Sequence, residues 1–261
     1  HITKIYVLKE RSIASIGGSE KFINNIENSY LDRWERRGKY LIGSLNQKNK
    51  NSKGYLVVHL RMTGQFKLIT KEIPPCSHTR VRFLGEGGKE LRFIDIRNFG
   101  QMWFSSNKKL LTDTVSGIKR LGPEPFSKDF NSCYLEKYLK NKKRSIKSAL
   151  LDQATVAGVG NIYADETLFD AGINPKTESR HLNKDELKRL CKSLVRILKI
   201  SIGEGGTTFS DFRDLEGLNG NYGGQALVYR RGGKSCKKCR EKIIREKICG
   251  RSTHWCPNCQ K

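Results

Sequence analysis

The chain has 261 residues, enough for two domains of ordinary size. Fifty Lys and Arg against 26 Asp and Glu give a net charge of +24, an excess that attracts a polyanion: nucleic acid first, an anionic membrane or ribosomal association behind it. No apolar run approaches the ~18 residues that cross a bilayer, and no charged-then-apolar leader opens the sequence, which speaks against membrane insertion and secretion.

The first hundred residues read as strands. Tyr55 to Leu60 is apolar and β-branched, and Gln65 to Thr70 alternates. Arg80 to Leu84 and Glu90 to Ile94 flank the glycine-rich connection Gly85-Glu86-Gly87-Gly88, and Gln101 to Phe104 adds a short strand. Asn46 to Lys53 is polar and basic, an exposed loop tip. After about residue 112 the period changes, past a stiff Leu121-Gly122-Pro123-Glu124-Pro125 connector. Leu187, Leu190, Cys191, Leu194 and Leu198 recur at helical spacing, with Asn183 and Glu186 as start signals and Gly203 to Gly206 as the stop. Leu215 to Gly224 is glycine-rich and aperiodic, a composition that suits a mobile loop. The expected fold class is α+β with several domains: an antiparallel β-sandwich over 1–112, a linker over 113–128, a helical domain over 129–228 and a metal-binding module over 229–261.

The module rests on cysteine spacing. Cys236 and Cys239 form one CxxC, Cys256 and Cys259 another, with sixteen residues between the pairs. Two such turns joined by a hairpin present four thiolates to one tetrahedral cation, so a single structural Zn2+ is expected; redox thiols are the alternative. Four thiolates leave no open position, and the metal orders a small domain without doing chemistry. Lys242, Arg245, Lys247 and Arg251 give the hairpin a basic face suited to phosphates. Cys249, inside the hairpin, reads as a bystander. Cysteines gathered for a metal, with no disulfide framework, point to a reducing cytoplasm.

Further segments, taken together, carry a resemblance. They are Arg36 to Tyr40 (RRGKY), His59 to Gly64 (HLRMTG), Asp95 to Gly100 (DIRNFG), Leu121 to Pro125 (LGPEP), Gly158 to Glu166 (GVGNIYADE) and Gly205 to Thr208 (GGTT). With the cysteine module they are similar to the formamidopyrimidine-DNA glycosylase/endonuclease VIII family, in family order from residue 36 onward. The resemblance implies a β-sandwich joined to a helix-two-turn-helix domain and a C-terminal zinc finger, acting as a monomer on duplex DNA with oxidised bases or abasic sites. It implies a bifunctional glycosylase and AP lyase for 8-oxoguanine and formamidopyrimidines, working through a Schiff base and β,δ-elimination.

Base excision requires flipping the nucleotide out and filling the gap. Met62, Arg97 and Phe99 match the family's void-filling positions, although Met62 and Phe99 could be core by residue type, and Arg97 could hold a phosphate or Asp95. Asn161, in a glycine-rich turn opening a helix, matches a phosphate ligand; otherwise it is a helix cap. Lys39 and Arg251 match residues at the lesion phosphates with roles in elimination, and without the resemblance they are solvated charges. His78, Lys142 and Lys147 match further DNA- or lesion-contacting positions. Residues 214–224 match a loop that closes over an everted base. The family's Pro-Glu start, whose proline amine attacks the sugar, is not in this chain. His1 to Ile5 resembles the family's second strand, so the first strand and helix are expected to be missing and the chain as given to lack its nucleophile. Two rivals stand: an endonuclease VIII-like enzyme for oxidised pyrimidines, and a non-catalytic zinc-ribbon nucleic-acid binder.

Overall fold

A computed structural model describes residues 1–49, 51–208, 215 and 218–261. The chain divides into two compact units, residues 1–119 with 208–220, and 120–207 with 221–261.

The first unit runs β1 (Ile2–Val7), α1 (Gly18–Ile26), β2 (Tyr30–Arg37), β3 (Tyr40–Asn46), β4 (Ser52–His59), β5 (Gly64–Ile69), β6 (Thr79–Gly85), β7 (Glu90–Asp95) and β8 (Gln101–Ser105). The short helices α2 (Leu111–Thr114) and α3 (Ser116–Lys119) follow. Two four-stranded antiparallel sheets form, ordered β1-β6-β7-β5 and β2-β3-β4-β8. Alternating side chains from both meet in one core with Ile5, Leu45, Leu56, Val58, Phe66, Val81, Phe93 and Met102, each worth roughly 1.5–3 kcal/mol of burial. This is the expected sandwich. The helix α1 was not foreseen: Phe22 and Ile26, one turn apart, are fully buried in that core. Within the polar run 46–53, residues 47–49 and 51 are exposed and lie between β3, which ends at Asn46, and β4, which begins at Ser52, as expected of a loop tip.

The second unit carries α4 (Ser132–Leu139), α5 (Ile146–Leu151), α6 (Asn161–Ala171), α7 (Lys184–Gly203), α8 (Tyr222–Gln225) and a hairpin of β9 (Ile244–Ile248) and β10 (Arg251–Trp255). Asn183 caps α7 through the backbone N–H groups of Asp185 and Glu186, and the Glu186 carboxylate accepts from Asn183 N at 2.8 Å, closing the expected capping box. Leu187, Leu190 and Leu194 pack with Leu135, Leu150, Val159 and Leu168. Among the described residues no helix is long and apolar enough to cross a membrane.

Candidate nucleic-acid interface

Strand register gathers the first unit's basic and apolar turns at one end of the sandwich. Arg37, Tyr40, His59 and Gln101 lie in one row across β2-β3-β4-β8, while Gly64 faces Asp95 and Ile94 faces Thr79 in the other sheet. The turns beyond that end hold Lys39, Arg61, Met62, His78, Arg97 and Phe99.

Asp95 organises two of these turns. Fully buried, its carboxylate accepts from Phe99 N at 2.8 Å, from Gly100 N at 2.7 Å and from the Thr63 hydroxyl. Thr63 Oγ1 in turn accepts from Arg97 N at 3.0 Å. The turn after β4 is thereby fastened to the turn after β7. Both motif glycines are required by close approach: a Cβ on Gly64 would lie 2.4 Å from Leu60 O, and one on Gly100 2.4 Å from Phe93 Cζ. On this frame Met62 is 67% and Phe99 39% exposed, so neither is a core residue. Arg97 bridges them, with Nη1 3.0 Å from Met62 Sδ and the guanidinium 4.9 Å from the Phe99 ring centre. Its guanidinium rests on these two neighbours, and the contacts of Asp95 are to backbone and Thr63.

Lys39 is exposed in the β2–β3 turn. His59 lies beneath, edge-on to Tyr40 at 4.7 Å, and burial together with the charges of Arg61 and Lys39 holds its imidazole down to about 4. His78 is exposed, and its carbonyl accepts from Asp95 N at 2.9 Å. Arg80 reinforces this tie, donating to Asp95 O at 2.7 Å and Ser77 O at 3.1 Å.

In the second unit the Ser252 carbonyl is a meeting point. It accepts from Asn161 Nδ2 at 2.9 Å and from Lys147 Nζ at 2.8 Å, beside the exposed Arg251 that opens β10. Asn161 is the first helical residue of α6, and the cap position belongs to Gly160. The Asn161 Oδ1 atom is buried without a hydrogen-bond partner. Cys249 and Gly250, with φ of 47° and 74°, make the tight turn that aims Arg251.

Lys147, expected to touch DNA, is instead fully buried. Its ammonium sits 2.6 Å from Asp165 Oδ1 and donates to Thr253 Oγ1 at 2.7 Å as well as to Ser252 O. Burial pulls it below its ordinary pKa, Asp165 opposes that shift, and the nearby charge of Arg251 adds to it. With its donors engaged inside, Lys147 reaches no surface in this structure. Lys142 is exposed, 5.2 Å over the Tyr138 ring, and none of its described contacts joins it to the Asn161–Arg251 group.

Two buried carboxylates carry more of this architecture than the sequence suggested. Asp165 holds Lys147 and accepts from His254 N at 2.9 Å. Glu166 accepts from the backbone N–H groups of Leu227, Val228 and Tyr229 at 2.8–2.9 Å, fixing the strand of chain that enters the cysteine module. Both fall within the GVGNIYADE segment, but nothing local to that segment reveals partners about sixty to ninety positions away.

The four cysteines converge as the spacing predicts. All four Sγ atoms lie within 4.8 Å of one another, with Cys236–Cys259 at 3.9 Å and Cys239–Cys256 at 3.4 Å. Thiolates at about 2.3 Å from a tetrahedral ion stand about 3.8 Å apart, so the donor set fits one metal ion. Cys236 and Cys256 are fully buried beside Phe169, Val228 and Ile243, which joins the module to α6.

Of the expected loop 214–224, residues 214, 216 and 217 lie outside the described residues, as do 209–213. Leu215 O accepts from Leu68 N at 3.5 Å, and Gly220 N donates to Thr208 Oγ1 at 2.8 Å. Leu218 is 65% exposed.

Comparison with known proteins covers nearly the whole chain. The family description "Formamidopyrimidine-DNA glycosylase N-terminal domain" matches residues 1–102, and "Formamidopyrimidine-DNA glycosylase H2TH domain" matches 121–213. A formamidopyrimidine-DNA glycosylase of Prochlorococcus marinus strain NATL1A is 78% identical over 261 residues, spanning 100% of this chain and 93% of that protein. The Lactococcus lactis Fpg solved with DNA containing an abasic site superposes with a TM-score of 0.90 at 31% identity, covering 100% of this chain and 92% of the other. The same enzyme solved with Fapy-dG DNA gives 0.89 at 31%, with the same coverage.

Proposed function

The chain belongs to the formamidopyrimidine-DNA glycosylase family, and from that premise we propose that it is a base-excision repair enzyme. It removes oxidised purines, 8-oxoguanine and formamidopyrimidines, from duplex DNA and then cleaves the abasic site as a lyase. The observation that carries the reading is the exposed Met62–Arg97–Phe99 cluster, held rigidly by Asp95 and Thr63. An apolar chain, a flat cation and a ring, presented together on a fixed turn pair, suit the space left when a nucleotide leaves the stack.

Phosphates are gripped in each unit. Lys39 and His78 flank the cluster in the first; Asn161 and Arg251, with Lys142 further along, serve the second. Lys147 acts from inside, fixing β10 and so the position of Arg251. Lys39 and Arg251 neutralise the phosphates at the lesion and assist the proton transfers of elimination. The family's proline amine nucleophile is not among these 261 residues, and the reaction is proposed for a protein in which such a start precedes them. Zinc on Cys236, Cys239, Cys256 and Cys259 orders the β9–β10 hairpin and leaves no coordination position for chemistry. The enzyme works as a monomer, in the cytoplasm on chromosomal DNA.

The test compares excision by the full-length protein from duplexes bearing 8-oxoguanine or thymine glycol. Faster release of 8-oxoguanine by about tenfold or more is expected. A preference for thymine glycol would transfer the chain to pyrimidine repair. Arg97→Ala should lower kcat/KM about 10- to 100-fold on the preferred lesion.

A further inference from the structure

A groove of about 590 Å³ runs along α7 beside the entry to α4. Phe130, Cys191, Val195 and Ile200 make its apolar lining. Burial pushes the Cys191 thiol up to about 11, which keeps that lining uncharged at neutral pH. Four cations, Lys188, Lys192, Arg196 and Lys199, stand around it, and no carboxylate lines it. Spacing on the helix explains the arrangement: residues 188, 192, 195 and 199 recur every three or four positions, beside the Leu187, Leu190, Leu194 stripe that enters the core.

The cations are not equivalent. Arg196 is bound by Asp170 and Lys188 lies 3.3 Å from Asp185. Lys192 and Lys199 meet no acidic partner among the described residues. Seven residues apart, they are two helical turns and about 10 Å from each other, with Val195 between them.

We infer that this groove docks an acidic segment of a partner protein, with carboxylates on Lys192 and Lys199 and apolar side chains seated over Val195, Cys191 and Ile200. The charge pattern selects an acidic ligand, and the apolar lining selects a peptide over duplex DNA, whose phosphates offer nothing to cover that lining while its bases stay stacked. The residues to which DNA contact is ascribed above lie on elements other than α7.

The probe is a fluorescein-labelled peptide, Asp-Leu-Asp-Asp-Phe-Asp, titrated against full-length protein by anisotropy, with a control in which Ser replaces Leu and Phe. Saturable binding of the first and at least about tenfold weaker binding of the control are expected. Lys192→Glu with Lys199→Glu should weaken the peptide by about tenfold or more and leave affinity for an undamaged duplex within about twofold at matched salt. Val195→Asp, checked for folding by circular dichroism, should abolish peptide binding with both lysines in place. Equal binding of the two peptides, no binding of either, or a parallel loss of duplex affinity in the charge-reversed protein would overturn the inference, the last by making the groove a DNA surface.

Discussion

The buried Lys147–Asp165 pair is the most exposed point of this reading to experiment. Both side chains are essentially inaccessible, at 1% and 0%, and stand 2.6 Å apart. Removing one partner strands the other charge in the interior, which costs about 3–5 kcal/mol. Lys147→Met also deprives Ser252 O of one of two donors and Thr253 of another, losses of about 0.5–1.5 kcal/mol each. Asp165→Asn keeps an oxygen for His254 N but leaves the ammonium without a counter-charge. The double variant buries no net charge, so its cost should fall below the sum of the singles by about 2 kcal/mol or more. Urea unfolding of zinc-loaded full-length protein measures this, in a Trp34→Phe/Trp103→Phe background where Trp255 is the one tryptophan of these 261 residues and reports the second unit. The pH sign is also fixed. The folded Lys147 pKa lies below its ordinary 10.5, so between the two values the unfolded chain binds more protons and stability rises with pH. Lys147→Met should flatten that rise. Additivity of the two singles within about 0.5 kcal/mol would refute the buried pair.

Gly100→Ala should destabilise the first unit by about 1–3 kcal/mol, because its methyl would meet Phe93 at 2.4 Å and Asp95 Oδ2 at 3.1 Å; thermal unfolding followed by Trp34 and Trp103 tests it, and an unchanged midpoint contradicts the contact. His59 has a folded pKa of about 4 against an ordinary 6.5, so its neutral form favours folding and stability should fall as pH drops through that window. Urea midpoints at pH 7 and pH 5 should therefore separate further for the native protein than for His59→Gln, and equal separations would count against the burial of that ring. Chelation should release one zinc per chain and weaken duplex binding by about tenfold or more while the β signal of the sandwich persists. Metal-free protein with unchanged affinity would show that the cysteine module does not place Arg251.

Much of the fold was readable because its signals are local. The β-branched run before His59, the Asn183–Glu186 capping box and the paired CxxC turns each fix structure within a few residues. The helix α1 escaped notice because only Phe22 and Ile26 mark its buried face, too few for a periodicity. The polar stretch Asp32 to Arg37 hid β2, whose neighbours in the sheet supply what its composition lacks. At the site, the family resemblance points to Met62, Arg97 and Phe99 but not to what binds their turns together: Asp95 works through Thr63, thirty-two positions away. Lys147, which the resemblance sets against DNA, is buried in this structure, and its partners at Ser252 and Thr253 stand more than a hundred positions along the chain. Asn161 reads as a phosphate ligand ahead of a helix cap, and the cap position belongs to Gly160.

The most direct measurement is borohydride trapping. The full-length protein, with whatever its gene encodes ahead of His1, is incubated with a duplex carrying one 8-oxoguanine opposite cytosine, and any Schiff base is reduced in place. A covalent protein–DNA band that weakens in Arg97→Ala is the expected result. No band, with tight salt-sensitive binding retained, would contradict the glycosylase and lyase activity and leave a DNA-binding member of the family.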